Sequence, residues 1–235
     1  MGDQKRHSVL VLSGGQDSAT CGIWLRNRGD VIHAISFDYG QRHQRELEAA
    51  LVVSRLLGAR SQTKKILNLF DSSLSSLTDF SVGQEKVGVP KGNLPNTFLP
   101  GRNLLFLTVA AIRAAGVREA YHLDYTPDVV TGVCQTDYSG YPDCRQGTIK
   151  ALEDALRLGM DCDIRLVTPL MGLTKAETVK LAMTDPDWRR IIGATWTCYL
   201  GGETPCGACP ACILRIKGFQ EAGVDDPAVS ASRSP

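Results

Sequence analysis

Apolar and polar residues follow each other along the chain in blocks that predict strands alternating with helices. Residues 8–13 (SVLVLS) form a continuous apolar run, which is typical of a parallel strand buried on both faces. A helix is predicted over 16–28, because Ala19, Ile23 and Leu25 would face a sheet and Gly29 follows its end. Further strands are predicted at 31–37, 62–67, 129–133 and 164–167, and further helices at 42–57, 103–115, 146–158 and 175–183. This order predicts an α/β fold, a parallel sheet with helices on both faces.

Two stretches interrupt the pattern. Residues 71–100 are rich in Ser, Gly and Pro, and so long a stretch without periodicity indicates a functional or mobile loop. From Thr195 onward the chain is rich in Cys, Gly and Pro. We therefore predict an α/β domain over 8–190, a small four-cysteine subdomain over 195–223, and flexible termini at 1–7 and 225–235.

Charge and hydropathy exclude several classes of partner. The 235 residues include 26 Lys or Arg and 25 Asp or Glu, a net charge of +1, so any attraction to nucleic acid would have to be local. No apolar run reaches the roughly 18–20 residues of a membrane helix, and the apolar start of the chain is too short for a signal peptide. We expect a soluble cytoplasmic protein with no nucleic-acid or membrane partner.

A glycine-rich loop joins the first strand to the first helix. Glycine lets the backbone turn tightly, the helix start offers unpaired N–H groups, and two serines add hydroxyl donors, which together suit phosphate. The loop lacks the Lys of a Walker A motif and the third Gly of a dinucleotide fingerprint, and an ordinary turn capped by Asp17 or Ser18 is the alternative. The predicted binding residues are Leu12, Ser13, Gly14, Gly15, Gln16, Asp17 and Ser18.

Four cysteines near the C-terminus have the spacing of metal ligands. Cys198, Cys206, Cys209 and Cys212 surround Gly and Pro, and four thiolates close a tetrahedral zinc shell that leaves no position for catalysis. An iron–sulfur cluster and four separate core thiols are the alternatives. Arg215, one turn into the next helix, would either neutralise the thiolates or be a solvated residue.

Polar residues follow the predicted strands at the edge where parallel sheets bind ligands. Asp38 is a candidate for contact with a metal or a hydroxyl group, and Arg102 precedes a buried helix. Lys175 lies in the first turn of its helix, where a cation opposes the macrodipole, so it is either directed at an anion such as phosphate or exposed. Arg42 and His43 would either meet an anion or begin a solvated helix.

These motifs resemble those of known enzymes. SGGQDS at 13–18 resembles the PP-loop of the ATP pyrophosphatases, which adenylate a carbonyl or carboxylate oxygen. The chain from about 8 to 223 further resembles the 7-cyano-7-deazaguanine synthases, the nitrile-forming enzymes of queuosine biosynthesis. The motifs concerned are FDYGQRH at 37–43, FLPGRN at 98–103, TGVCQTDYSGYPDCR at 131–145, PLMGLTKAE at 169–177 and the four cysteines. The stretch YHLDYTP at 121–127 departs from the pattern.

The resemblance implies an ATP-dependent ligase that converts 7-carboxy-7-deazaguanine and ammonia into 7-cyano-7-deazaguanine through the amide. It implies zinc on the cysteines, Mg²⁺ beside ATP, and a homodimer. Asp17, Lys175 and Arg145 are the catalytic candidates. Asp137, Tyr138 and Arg145 are the substrate candidates, with Arg145 paired to the carboxylate and Asp137 accepting from the guanine-like N–H edge. The alternatives are another PP-loop ligase or tRNA-thiolating enzyme, and a non-catalytic nucleotide-binding zinc module.

Overall fold

The computed structural model describes residues 5–42, 44–66, 70, 72–83, 86–135 and 140–230. The first half contains β1 (His7–Val11), α1 (Gln16–Asn27), β2 (Val31–Asp38), α2 (Arg45–Leu56), β3 (Arg60–Lys65), β4 (Pro90–Lys91), β5 (Leu94–Pro95) and α3 (Arg102–Ala120). The second half contains β6 (Asp128–Val130), α4 (Gln146–Met160), β7 (Leu166–Val167), α5 (Lys175–Ala182), α6 (Trp188–Gly193), α7 (Pro210–Ala222) and α8 (Pro227–Ser230).

The main sheet has five parallel strands in the order β3-β2-β1-β6-β7, which confirms the predicted fold class. Strand β1 is central, with β2 on one side and β6 on the other. The chain order reverses at β1, and ligands of such sheets bind in the crevice at this point, beyond the carboxyl ends of the strands. Strand β6 ends at Val130, so residues 131–133, predicted as strand, form part of the rim of that crevice.

Alternate residues of the central strands enter two apolar cores, because successive side chains of a strand point to opposite faces. Leu10 packs with α1, α5 and α6, whereas Val9 packs with α3 and α4. Helix α3 continues past its predicted end at 115 because Val117 is completely buried. None of the helices in the described ranges is long and apolar enough to cross a membrane.

The described part of residues 71–100, predicted to be an irregular loop, is ordered by a single amide side chain. Asn96 Oδ1 accepts from the Gly88 N–H at 2.7 Å and from the Ser76 hydroxyl at 2.9 Å, while its Nδ2 donates to the Lys86 carbonyl at 2.7 Å. A two-stranded hairpin of β4 and β5 lies between these contacts. The segment therefore has a defined conformation without a regular sequence period.

The C-terminal residues are held against the rest of the protein by Arg215. Its guanidinium is 7% exposed and pairs with Asp226 at 2.6 and 2.9 Å, and it donates to the hydroxyls of Thr195 and Thr197 at 2.8 and 2.9 Å. Arg215 is thus neither solvated nor, among these contacts, paired with a thiolate. Residues 225–230, predicted to be flexible, instead form a buried ion pair and α8, because the buried guanidinium needs a counter-charge.

Candidate functional site

A cavity of about 310 Å³ lies at the crevice between β1 and β6, a volume within the range of small-molecule sites. Its wall consists of the loop after β1, the residue after β2, the start of α3, the residues after β6 and the segment before the cysteines. The predicted residues that line it are Leu12, Ser13, Gly15, Gln16, Asp17, Ser18, Arg102 and Lys175. The sheet thus brings most of the predicted loop and two predicted cations to one place.

Gly14 is the point of closest approach between the loop and α2. Its φ is +92°, and a Cβ atom there would lie 2.1 Å from the Glu46 carbonyl oxygen and 2.8 Å from the Ala50 nitrogen. The Gly14 carbonyl accepts from the Trp196 N–H at 2.9 Å. Gly14 is needed because the loop packs against the α2 backbone, a different reason from the predicted approach to phosphate.

The N-terminus of α1 presents unsatisfied donors. Gly15 is the N-cap and no side chain caps the helix, so the alternative of a turn capped by Asp17 or Ser18 is wrong. The Ser18 hydroxyl donates to the Gly15 carbonyl at 3.0 Å and lies 3.1 Å from Ser13 Oγ. Gln16 is 3% exposed, and its Nε2 has no hydrogen-bond partner within the described chain. Buried donors without partners indicate that an external acceptor belongs here.

Lys175 and Asp17 join two helices at the cavity wall. Lys175 Nζ contacts the two Asp17 carboxylate oxygens at 2.9 and 2.8 Å. Thr174 is the N-cap of α5, as predicted, and forms a capping box with Glu177. Gly218 of α7 makes room for the lysine, since a Cβ there would lie 2.3 Å from Lys175 Cγ. The helix after the cysteines therefore fixes a cation of the cavity.

Arg102 supplies a guanidinium to the cavity from the first turn of α3. Its Nη1 donates to the Tyr39 hydroxyl at 3.4 Å, and the guanidinium lies 5.9 Å from the centre of that ring. Burial alone would lower the pKa of Arg102, but Tyr39, Tyr141 and Asp143 outweigh it and raise the pKa above its ordinary value. Arg102 is therefore a permanent positive charge beside the loop.

Glu46 of α2 also lines the cavity, and the sequence analysis did not identify it. Burial raises the pKa of its carboxyl to about 7, and Arg102 partly opposes this shift. Tyr199 lines the cavity as well, and burial raises the pKa of its phenol well above the ordinary value. Neither residue has a local motif, because only tertiary packing directs them to the cavity.

The four cysteine sulfurs lie within 4.8 Å of one another, so they form a candidate metal site. A tetrahedral site with Zn–S bonds of about 2.3 Å separates its sulfurs by about 3.8 Å, and the Cys206 and Cys212 sulfurs are 4.0 Å apart. Backbone N–H groups of Leu200 and Cys206 donate to Cys198 Sγ, both at 3.4 Å. A hydrogen bond from the Cys212 thiol lowers the pKa of Cys209 to about 4. The sulfur geometry and the thiolate-stabilising contacts fit a tetrahedral metal ion.

Several predicted residues lie elsewhere. The Asp38 carboxylate accepts from the Gly40 N–H at 3.4 Å, and Arg145 is the exposed N-cap of α4; neither is among the cavity-lining residues of the described chain. Asp137 and Tyr138 lie outside the described residues, as does His43.

Arg42 lines the cavity but is engaged. It donates to the Asp79 and Val82 carbonyls at 2.6 Å each, and so holds residues 72–83 rather than beginning a helix. Cys144 also lines the cavity, and burial raises the pKa of its thiol to about 12, so it stays protonated.

Comparison with known proteins assigns the chain to a family. The family model described as "Queuosine biosynthesis protein QueC" matches residues 7–223. A 7-cyano-7-deazaguanine synthase from Chromobacterium violaceum is 50% identical, over 94% of this chain and 92% of the relative. One from Laribacter hongkongensis is 48% identical, over 94% and 93%. A 4-thiouridine synthetase–RNA complex with bound ATP aligns at a TM-score of 0.42, with 17% identity over 97% of this chain and 53% of that one. On the sequence matches, the chain belongs to the queuosine biosynthesis protein QueC family.

Proposed function

We propose that this protein is an ATP-dependent ligase that converts 7-carboxy-7-deazaguanine and ammonia into 7-cyano-7-deazaguanine. Two relatives that share about half of its residues over almost their whole length carry the name of that synthase. The observation that carries the proposal is the cavity at the β1–β6 crevice. There the uncapped N-terminus of α1 and the unpaired Gln16 amide lie in the same wall as the Arg102 guanidinium, as expected for a site that receives a polyphosphate and a carboxylate.

The chemistry requires that an oxygen atom be made a leaving group twice. Ammonia does not displace oxide from a carboxylate, because the carbon is shielded by negative charge and oxide leaves poorly. Transfer of the carboxylate oxygen to a phosphorus of ATP lets it leave with the C–O electron pair, and ammonia then gives the amide. A second transfer, from the amide oxygen, allows the remaining C–O bond to break while the nitrogen loses its protons, which gives the nitrile.

The loop residues Leu12–Ser18 are proposed to bind the ATP phosphates, through backbone N–H groups, the serine hydroxyls and Gln16 Nε2. Mg²⁺, held mainly by phosphate oxygens and water, would offset the phosphate charge. Arg102 would stabilise the negative charge that moves onto phosphorus during each transfer. Lys175 would act at the same end of the cavity, oriented by its contacts with Asp17 at 2.9 and 2.8 Å.

The deazaguanine is proposed to contact Asp137 and Tyr138, as the family resemblance implies. For the carboxylate there are two guanidinium candidates. Arg145 is the residue that the sequence motif implies, but its side chain is exposed at the start of α4. Arg102 lines the cavity and carries a permanent charge, which favours it as the carboxylate partner in the described conformation.

Zinc on Cys198, Cys206, Cys209 and Cys212 is proposed to be structural, since four sulfur ligands leave no open position. The cysteine segment supports the phosphate loop directly: Trp196 donates to the Gly14 carbonyl at 2.9 Å, and Gly218 accommodates Lys175. Ammonia as the nitrogen donor, a homodimer and a cytoplasmic location, where thiols stay reduced, remain proposals that follow from the family.

The proposal is tested by incubating the purified protein with ATP, Mg²⁺, ammonium and 7-carboxy-7-deazaguanine and measuring products by mass. We expect the nitrile, with the amide as its precursor, and no product when ATP is omitted. Nucleotide turnover with a different acid or with tRNA would favour another PP-loop ligase or a thiolating enzyme. Nucleotide binding without turnover of any substrate would favour a non-catalytic module.

A further inference from the structure

We infer that Glu46 is a catalytic residue of this cavity: its carboxylate binds the ammonium ion and accepts the proton that ammonium must lose before it attacks. The inference rests on the proposed function, since it assigns the nitrogen donor a site within the same cavity. Glu46 is the second residue of α2, which packs against the phosphate loop so closely that a Cβ at Gly14 would lie 2.1 Å from the Glu46 carbonyl oxygen. The carboxylate is therefore carried by the element next to the proposed activation site.

The other charged groups of the cavity wall are engaged. Lys175 contacts Asp17, Arg215 contacts Asp226, and Arg42 donates to backbone carbonyls. Among the described residues, Glu46 has no ion-pair or hydrogen-bond partner for its carboxylate, although burial usually requires one.

The groups that face Glu46 from other elements cannot serve as its proton donor. Arg102 from α3 is the nearby cation, and Tyr39 after β2 and Tyr199 from the cysteine segment face it as neutral phenols with raised pKa values. Arg102 does not come within 4.0 Å to form an ion pair within the described chain. A small cation such as ammonium would supply the missing partner.

The reaction needs a proton acceptor at this point. Ammonium is the form that prevails at neutral pH, and it has no lone pair with which to attack. Transfer of one proton to the Glu46 carboxylate leaves ammonia, whose lone pair forms the C–N bond to the activated carbon. A second proton leaves the nitrogen of the adduct as the C–O bond breaks, and the oxygen departs on phosphorus with that electron pair. An acceptor whose pKa is near the working pH serves such a transfer best, and Glu46 has a pKa of about 7.

The test uses Glu46→Gln, which keeps the shape of the side chain and removes its basicity. A matched control is Glu48→Gln on the same helix, because Glu48 is exposed and contacts only Arg45, at 3.8 Å. Two nucleophiles are compared with 7-carboxy-7-deazaguanine and ATP: ammonium, which must first lose a proton, and hydroxylamine, which is uncharged at neutral pH. Amide plus nitrile and hydroxamate are measured by mass, each from pH 6 to pH 8.5.

We expect Glu46→Gln to lower kcat/KM for ammonium by about 100- to 10,000-fold, the range of general-base catalysis. Hydroxamate formation should stay within about fivefold of the wild type, because activation and ATP binding do not need Glu46. The ratio of wild-type to variant rate with ammonium should rise as the pH increases through 7 and Glu46 ionises. Glu46→Asp, which keeps a carboxylate, should recover at least tenfold of the loss.

Other results would overturn the inference. Equal losses with ammonium and hydroxylamine would place Glu46 in activation, for example as a Mg²⁺ ligand, and unchanged ammonium kinetics would exclude any role. The Glu46→Gln protein should unfold at the wild-type temperature or above it, because an unpaired carboxylate is removed; a lower temperature would mean a structural role. If the wild-type protein forms neither nitrile nor hydroxamate, the proposed function itself fails and the inference with it.

Discussion

Gly14→Ala tests whether the close packing of the phosphate loop on α2 is essential. The alanine Cβ would lie 2.1 Å from the Glu46 carbonyl oxygen, roughly 1 Å short of a tolerable contact, and 2.8 Å from the Ala50 nitrogen. Both neighbours are backbone atoms, so the loop or the start of α2 must move. The left-handed φ of +92° adds about 1–2 kcal/mol for any residue with a Cβ.

The magnitude follows from these two contributions. Overpacking of a tight contact costs about 1–3 kcal/mol, so the sum with the φ term centres on about 3 kcal/mol. For a chain of this length that corresponds to a fall of about 6–12 °C in Tm. A loop displaced by about 1 Å should also weaken ATP binding, because misplacement of this size can cost on the order of 100-fold.

Gly15→Ala is the matched control. Its Cβ would lie 3.4 Å from Ser13 Oγ and 3.7 Å from the Trp196 carbonyl oxygen, both ordinary contacts. Thermal unfolding and calorimetric titration with ATP on both variants decide the matter. If Gly14→Ala keeps a Tm within 2 °C and an ATP affinity within threefold of the wild type, the packing argument is refuted.

Four further predictions use other parts of the structure. Arg102→Lys should lower kcat/KM for the deazaguanine about 10- to 150-fold, and Arg145→Lys less than tenfold; the reverse order in steady-state kinetics would restore the role implied by the sequence motif. Cys209→Ser should lower zinc content below one per chain, the folded yield and ATP affinity, whereas metal-replete wild-type protein without zinc on elemental analysis would exclude the metal. Asp226→Ala should lower the free energy of unfolding in urea by about 3–5 kcal/mol, since it leaves a buried guanidinium unpaired; a loss below 1 kcal/mol would contradict this. Burial lowers the pKa of His33 from 6.5 to about 4, so the unfolded chain binds the extra proton between these values and stability should fall by up to about 3 kcal/mol as the pH drops from 6.5 to 4; His33→Phe should flatten that slope in urea titrations, and an unchanged slope would assign it to other groups.

The elements that could be predicted from sequence carry local signals. Strand β1 is a continuous apolar run, and α5 begins where Thr174 and Glu177 form their capping box, within a single turn of helix. The cysteine spacing likewise encodes its own geometry, because Cys206, Cys209 and Cys212 are separated by short turns. Each of these features depends on residues that are neighbours along the chain.

The remainder depends on distant contacts. Helix α6 has six residues, too few for a period, and forms because Ile191 and Ile192 are buried against the core. The conformation around residues 72–100 depends on Asn96, whose partners lie up to 20 residues away. Glu46 occupies an ordinary position of an amphipathic helix, and only the packing of α2 on the phosphate loop directs it into the cavity.

The most direct test of the proposed reaction follows the two carboxylate oxygens. With 7-carboxy-7-deazaguanine labelled by ¹⁸O at both carboxylate positions, ATP and ammonium, the nitrile retains neither oxygen. If each oxygen leaves on phosphorus, mass spectrometry should find two ¹⁸O atoms in the phosphorus-containing products for every nitrile formed, and two ATP consumed. Recovery of the label in water, or in only one phosphorus product per nitrile, would contradict the account of two successive activations.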